Sequence, residues 1–227
     1  MNCEFDFRSR NGAPLSGPEW RAEWSPGFDT TTYPDEVYEE LVARGPELSD
    51  ADFEVLGAWK DGAIRLGGQR QFGQCHVHFT DNWKPNAVCA CTVWRSLPQR
   101  RSQLEEFMSR EDYRSFLNQV ASEHFVKACK GGRKSVLFGL PRATYILHVL
   151  SKAWFPIYDS NTHSGICLLT HGHYHGWGIP KTKSRDPAWY LGRFCAIIGD
   201  LQQQCGAHEG AFFRQVDKAL FQYGKQG

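Results

Sequence analysis

The chain has 227 residues, of which 41% are hydrophobic and 22% are charged, and its formal net charge at pH 7 is +1. This composition excludes an intrinsically disordered chain, which would carry fewer aromatic residues and a larger net charge. A net charge so close to zero gives no sign of nucleic-acid binding by itself, so such a function must show in the distribution of the charges.

The sequence predicts neither a membrane segment nor an export signal. It has no run of about 18 apolar residues that could cross a bilayer, and its start, MNCEFDFRSRNG, is polar and contains acids. We therefore expect a cytoplasmic protein with no membrane partner and no obligatory protein partner. The eight cysteines are irregularly spaced, so we expect reduced thiols that pack rather than disulfides.

The first 34 residues are predicted to form an extended arm, because their four prolines and several glycines disfavour helix. The arm carries aromatic residues such as Trp20 and Trp24, which suggest that it docks on the body. Residues 35–227 are then predicted to form a single helical domain. Its first helix is expected from Asp35 to about Arg44, and its second is expected to begin at a Ser49 cap.

Residues 63–100 show no regular pattern, and we predict an irregular or short β insertion there. The stretch from Ala87 to Trp94 favours either a strand or irregular structure. The region contains enough ligand types for zinc but lacks the Cys-x-x-Cys spacing of a zinc knuckle, so a zinc site stays an alternative and no metal is predicted. The residues concerned are Cys75, His76, His78, Cys89 and Cys91.

Helical spacing resumes after Pro98 and continues, in two series, to Pro156. Further helices are predicted from Asp186-Pro187 to about Gln204 and from Glu209 to Tyr223, the last with Val216 and Leu220 facing inward. The whole chain is therefore predicted to be mainly α.

A turn with a glycine separates the two helical series near residues 131–144. From His124 to Tyr158 the chain carries six lysines and arginines and no carboxylate. Free amides at a helix start, together with nearby cations, suit a backbone phosphate of DNA, although an ordinary solvated helix turn is the alternative. The candidate DNA-binding residues are Lys130, Arg133, Lys134, Ser135, Gly139 and Arg142.

The apolar segment Phe155-Pro156-Ile157-Tyr158 ends in Asp159, an acid at the predicted start of a helix. With the glycine-containing hairpin before it, this segment resembles that of the helix-hairpin-helix DNA glycosylases, in particular the small prokaryotic proteins similar to 8-oxoguanine glycosylases. The resemblance covers about a fifth of the chain, residues 126–166. It implies a helix-hairpin-helix glycosylase-like helical fold, double-stranded DNA with a modified base as partner, and Asp159 as the catalytic carboxylate. A simple N-cap role for Asp159 is the alternative, and the two roles can coexist.

Lyase-competent members of that superfamily carry a lysine 18 positions before the aspartate, where this chain has Pro141. Without an amine there, no Schiff base with the sugar can form, so the resemblance implies a monofunctional glycosylase that leaves an abasic site. Some relatives bind an iron–sulfur cluster through four cysteines near the C-terminus, but only Cys195 and Cys205 follow Cys167. We predict no cofactor.

The loop Thr170–Gly178 holds three histidines at alternate positions and two aromatic residues. We hypothesise that it lines the base pocket or the DNA groove, with histidines as donors and rings that stack on a flipped nucleotide. Plain loop structure and a zinc site are the alternatives. The candidate base-pocket residues are His163, His171, His173, Tyr174, His175 and Trp177.

The resemblance therefore implies a monofunctional DNA N-glycosylase that flips and excises a modified base. The most specific substrate hypothesis is glucosylated hydroxymethylcytosine of phage DNA, excised in antiviral defence, and oxidised guanine is the alternative. Two rivals belong to other classes. One is a non-catalytic duplex-binding module in which Asp159 only caps its helix, and the other is a metal-dependent hydrolase built on the histidine loop.

Overall fold

The computed structural model describes residues 5–84, 144–145, 148–149, 155–183, 189–206 and 211–226. The helices are α1 (Gly17–Trp24), α2 (Asp35–Arg44), α3 (Asp50–Lys60), α4 (Ser160–Leu169), α5 (Cys195–Gln204) and α6 (Ala211–Gly224). The strands are β1 (Ile64–Phe72), β2 (Cys75–Phe79), β3 (His173–Tyr174) and β4 (Trp177–Gly178), which form two antiparallel hairpins. Short 3-10 helices lie at Ser25–Gly27 and Gly45–Glu47, and a π-helix lies at Tyr190–Phe194. The prediction of a mainly α protein with a short β insertion is confirmed.

The chain divides into two compact units rather than an arm and one domain. The first unit combines residues 1–28 with residues 156–227, and the second consists of residues 29–155. This division differs from the predicted one, an arm over residues 1–34 and a single helical domain over residues 35–227, which stays a prediction. The N-terminal residues belong with the C-terminal helices because their aromatic side chains are buried there.

The N-terminal segment of the first unit forms a helix where an extended arm was predicted. Helix α1 begins at the cap Ser16, and the Glu19 carboxylate accepts a hydrogen bond of 2.8 Å from the Ser16 backbone N–H. One of the segment's prolines occupies the first turn, where a helix needs no N–H donor. Trp20 and Trp24 are buried, and each ring packs edge-on against Tyr223 of α6. The predicted docking of these aromatic residues is confirmed.

Helices α4 and α6 cross at two glycines. A Cβ atom added to Gly165 would lie 2.6 Å from the carbonyl oxygen of Leu220, and one added to Gly224 would overlap the carbonyl of Asn161. Only glycine lets the two backbones approach this closely. The crossing fixes α4, the helix that Asp159 begins, against the C-terminal helix.

In the second unit, α2 covers the predicted range, and α3 begins next to its predicted Ser49 cap. Strands β1 and β2 pair in an antiparallel register that shifts between Leu66 and Arg70, which marks a β-bulge. The stretch from Ala87 to Trp94, predicted to be strand or irregular, lies outside the described residues. The insertion is therefore a bulged hairpin over Ile64–Phe79 as far as the structure describes it.

The candidate zinc ligands on β2 do not share a face. Cys75 is buried, whereas His76 and His78 are exposed on the opposite side of the strand. Cys89 and Cys91 lie outside the described residues, and no group of three potential ligands within the described ranges could hold a metal ion. The four cysteines that the structure describes, Cys75, Cys167, Cys195 and Cys205, are free thiols, which agrees with the predicted absence of disulfides among them.

The C-terminal helices follow the predicted pattern. Helix α5 ends at Gln204 as expected, while the predicted start at Asp186-Pro187 lies outside the described residues. Helix α6 covers most of the predicted range, with Val216 and Leu220 buried. In the part of the chain that the structure describes, no helix is both long enough and apolar enough to cross a bilayer.

Candidate functional site

Asp159 lies at the first turn of α4, directly after a buried apolar segment. Phe155, Ile157 and Tyr158 are 4%, 6% and 0% exposed, whereas Asp159 is half-buried. The predicted start of an element near Asp159 is confirmed. The buried segment thus anchors the chain, and Asp159 is the first residue after it whose side chain is accessible to solvent.

A complete capping box fixes the Asp159 side chain to its helix. The Thr162 N–H donates to Asp159 Oδ1 at 2.9 Å, and the Asp159 N–H donates to the Thr162 hydroxyl at 2.8 Å. The same hydroxyl lies 3.2 Å from the Asp159 carbonyl, to which it donates. The N-cap role is therefore present, and the free amides of the first turn make this end of α4 favourable for negative charge. The catalytic role is compatible with this geometry and stays a prediction.

An aromatic cluster underlies the segment that leads to Asp159. The Tyr158 ring lies 4.7 Å from that of Phe194 and 5.6 Å from that of Trp189, measured between centroids. The Tyr190 hydroxyl donates a 2.7 Å hydrogen bond to the carbonyl of Pro156. Burial, and then the neighbouring Cys195, raises the pKa of Tyr190 well above its ordinary value, so its hydroxyl stays a proton donor. The chain just before Asp159 is thus held by uncharged buried groups.

His163, predicted as a base-pocket residue, is buried and engaged by the protein itself. Its Nε2 donates to the carbonyl of Pro180 at 2.7 Å, and its Nδ1 lies 3.3 Å from the Tyr158 hydroxyl. Because a carbonyl can only accept, the proton is assigned to Nε2, and Nδ1 accepts from the tyrosine. Burial lowers the pKa of His163. The side chain is 3% exposed, so it ties α4 to the residues after β4 rather than facing a ligand.

The histidine loop forms two tight turns. His175 and Gly176 join β3 to β4 with φ angles of 48° and 76°, which is the geometry of a type I′ hairpin turn. His171 and Gly172 repeat it with φ angles of 50° and 75°. His171 and His175 are therefore both in the left-handed region next to a glycine, and the alternating spacing does not place the three imidazoles on one strand face.

Two of the three histidines in this loop contact different carboxylates. His171 Nε2 lies 3.0 Å from Asp6 Oδ2, and His175 Nε2 lies 3.1 Å from Asp200 Oδ2. The Tyr174 hydroxyl donates to the same Asp200 oxygen, and its ring is only 4% exposed. The loop therefore offers no set of converging ligands for a metal, and the geometry gives the rival metal-dependent hydrolase no support.

The predicted base-pocket residues separate into two groups. His163 and Tyr174 are buried and hold neighbouring segments in place through hydrogen bonds. The exposed residues are His171, His173, His175 and Trp177. The Trp177 side chain is 52% exposed, and the guanidinium of Arg193 lies 4.7 Å from its ring centroid. Sequence reasoning missed Arg193, which lies 16 positions further along the chain with no local signal to link it to the loop.

The predicted phosphate-binding hairpin cannot be placed beside Asp159 from the described residues. Lys130, Arg133, Lys134, Ser135, Gly139 and Arg142 all lie outside them, as does Pro141. Comparison of the chain with protein-family models, with curated proteins and with solved structures finds no match. The functional argument therefore depends on the residues themselves.

Proposed function

We propose that the chain is a monofunctional DNA N-glycosylase with Asp159 as its catalytic carboxylate. The observation that carries this proposal is the setting of Asp159. Its carboxylate is half-buried, bound to the first turn of α4, and preceded by a buried apolar segment. In the helix-hairpin-helix glycosylases that the chain resembles, the catalytic aspartate likewise follows an apolar segment.

Asp159 acts on the sugar of the target nucleotide. As the N-glycosidic bond breaks, its electron pair leaves with the base and the sugar gains oxocarbenium character, which the carboxylate stabilises. The carboxylate also orients a water molecule that adds to the sugar carbon and accepts the proton which that water loses. That proton passes to the departed base, so the products are the free base and an abasic site in an intact strand, since Pro141 supplies no amine for strand cleavage.

Rigid support of Asp159 serves this chemistry. A group that stabilises developing charge is effective when it is held in place before the reaction, because no reorganisation is then needed in the transition state. The Thr162 N–H holds one carboxylate oxygen, and the Tyr190 hydroxyl holds the carbonyl of Pro156 three residues earlier. Both contacts are hydrogen bonds within the first unit.

The substrate of the proposal is double-stranded DNA that carries a modified base, recognised in the cytoplasm without a cofactor. Lys130, Arg133, Lys134, Ser135, Gly139 and Arg142 bind its backbone in this proposal. Glucosylated hydroxymethylcytosine of phage DNA is the most specific candidate base, with excision serving antiviral defence. Oxidised guanine is the second candidate, and the two are separated by their release from matched duplexes.

The test is base release from a panel of modified duplexes and from phage genomic DNA, with abasic sites revealed by alkali. Asp159→Asn keeps an N-cap acceptor, so it should fold normally and release no base. Glu19→Gln is the matched control, because it removes another capping-box carboxylate of the same unit. Undiminished release by Asp159→Asn would show that the wrong carboxylate has been assigned.

The completeness of the Asp159–Thr162 capping box favours a second candidate, a non-catalytic duplex-binding module. In that case the carboxylate would serve only its helix. Binding of duplex DNA that weakens with salt, is the same in Asp159→Asn, and is accompanied by no base release from any substrate would support this candidate.

A further inference from the structure

The hairpin of β3 and β4 is a rigid support with an exposed tryptophan. Tyr174 is buried, its hydroxyl donates to Asp200, and its ring stacks on that of Phe5 with centroids 6.0 Å apart. The type I′ turn at His175-Gly176 sets the register of the next two residues. Trp177 therefore emerges from a fixed backbone and is not the tip of a long loop.

Exposure of Trp177 is unusual in this molecule. Among the residues that the structure describes, only Trp177 and Leu66 are large hydrophobic side chains that are exposed, at 52% and 42%. The Arg193 guanidinium lies over the indole at 4.7 Å from the ring centroid. At 52% exposure the ring still offers area to a second planar group. A tryptophan stacked with an arginine attracts planar, electron-rich ligands that carry negative charge nearby.

The described charged groups along the hairpin are cations, together with two acids that other side chains contact. Residues 171–183 contain no carboxylate, and they include the exposed Lys181 and Lys183. Of the two acids in contact with the hairpin, Asp6 is paired with Arg8 and His171, and Asp200 accepts from Tyr174 and His175. The surface that Trp177 presents therefore complements an anion with flat rings.

We propose that Trp177 and Arg193 form an exposed stacking site for an unpaired base of DNA, with Lys181 and Lys183 contributing to phosphate binding. The inference rests on the proposed function in taking DNA as the polymer, but it requires no base excision. Because the Trp177 side chain is 52% exposed, we assign to it a base other than the one that reacts at Asp159. Stacking of this kind tolerates any sequence, since every base has a π face.

The test measures binding of the full chain to an unmodified single-stranded oligothymidylate at low salt. Trp177→Ala should weaken binding by about fivefold or more, and Trp177→Phe, which keeps a smaller ring, should weaken it less. Arg193→Gln should also weaken binding and should reduce its dependence on salt. Thermal unfolding checks that each variant is folded, which is expected because both side chains are exposed.

Two control variants isolate the site. Leu66→Ala removes the other exposed large hydrophobic side chain, and Lys225→Gln removes a cation that lies 4.7 Å from the centroid of the Phe221 ring, the distance seen for Arg193 over Trp177. Both should bind the oligonucleotide like the wild type. Binding within twofold of wild type by Trp177→Ala overturns the inference, as does an equal loss in either control.

A lipid surface is the other anionic partner that a tryptophan with nearby lysines fits. Loss of binding to phosphatidylserine vesicles in Trp177→Ala, with DNA binding unchanged, would overturn the inference in favour of a membrane. The proposed function and the stacking site can be disproved independently of each other. DNA binding that depends on Trp177 without base release from any substrate would overturn only the glycosylase, whereas normal base release with unaffected binding in Trp177→Ala would overturn only the stacking site.

Discussion

Asp52 and Asp159 both take part in capping boxes, but from opposite ends of the box. Asp52 is the third residue of α3, where its Oδ2 accepts from the N–H and the hydroxyl of Ser49 at 2.7 and 2.8 Å. The same oxygen lies 2.9 Å from Arg44, and the residue is 4% exposed. Asp159 is itself the cap of α4, is half-buried, and has its reciprocal partner in the hydroxyl of Thr162.

The difference teaches that burial and accessibility separate two acids that take part in the same kind of capping box. Asp52 is the more buried acid, yet its contacts join α3 to the end of α2 and leave little room for a ligand. Asp159 is accessible to solvent, and the segment that precedes it is buried. The comparison can therefore be tested by substituting each acid and measuring both activity and stability.

The largest effect is expected for Asp159→Asn on base release. A loss of about a hundredfold to ten-thousandfold is predicted, because the amide cannot stabilise positive charge or accept a proton. The free energy of unfolding should change by less than about 0.5 kcal/mol, since asparagine caps helices as well as aspartate does. Activity assays and denaturant unfolding measure the two quantities, and a large loss of stability would mean that the carboxylate mainly maintains the fold.

Gly165→Ala should destabilise the packing of α4 against α6 and leave the Asp159–Thr162 capping box intact. The added Cβ would lie 2.6 Å from a backbone carbonyl of α6, which cannot move as a side-chain end would. We expect a loss of about 3 kcal/mol in unfolding free energy, at the upper end for overpacked sites. Gly199→Ala in α5 is the matched control, since no atom beyond the neighbouring backbone of its own helix lies within 4 Å of the added Cβ. Equal stability of the two variants in urea unfolding would contradict the close crossing.

Asp52→Asn should show the reverse of Asp159→Asn. The change removes the charge that pairs with Arg44, so the unfolding free energy should fall by about 1–2 kcal/mol. Base release by the folded variant should match that of the wild type. A variant of unchanged stability with reduced activity would reverse the roles that we assign to the two acids.

The smallest effect is expected from pH. The folded pKa of His163 lies below its ordinary value of 6.5 because the ring is buried. As pH falls below about 6.5 the unfolded chain binds this proton and the folded chain does not, so stability present at neutral pH is lost toward the lower folded pKa. His163→Gln should remove that part of the pH dependence of unfolding measured from pH 7.5 to 5. Parallel curves for variant and wild type would contradict the assignment.

Helix starts were predictable where their signals are local. Asp35, Ser49 and Asp159 each begin or cap a helix at or next to the expected position, because capping depends on hydrogen bonds within one turn. The candidate carboxylate was found by the same local signal. Its capping partner Thr162 lies three residues later, so the capping-box spacing Asp-x-x-Thr is also visible in the sequence.

Errors arose where distant contacts decide the structure. Helix α1 forms in a proline-containing segment because Trp20 and Trp24 pack on Tyr223, about 200 positions away in the chain. No local pattern contains that information. In the histidine loop, the histidines occupy alternate positions of the sequence, but two turns with positive φ at His171 and His175 reverse the chain.

The first two turns of α4 leave little freedom for substitution. Asp159 and Thr162 cap each other, His163 donates to Pro180, and Gly165 admits the backbone of α6. Five of the ten residues of this helix are buried. Substitutions in this short stretch would therefore cost stability, so a ligand-binding surface would vary more readily during evolution in other segments of the chain. The spacing Asp-x-x-Thr-His-x-Gly is accordingly the pattern that we expect distant relatives of the chain to share.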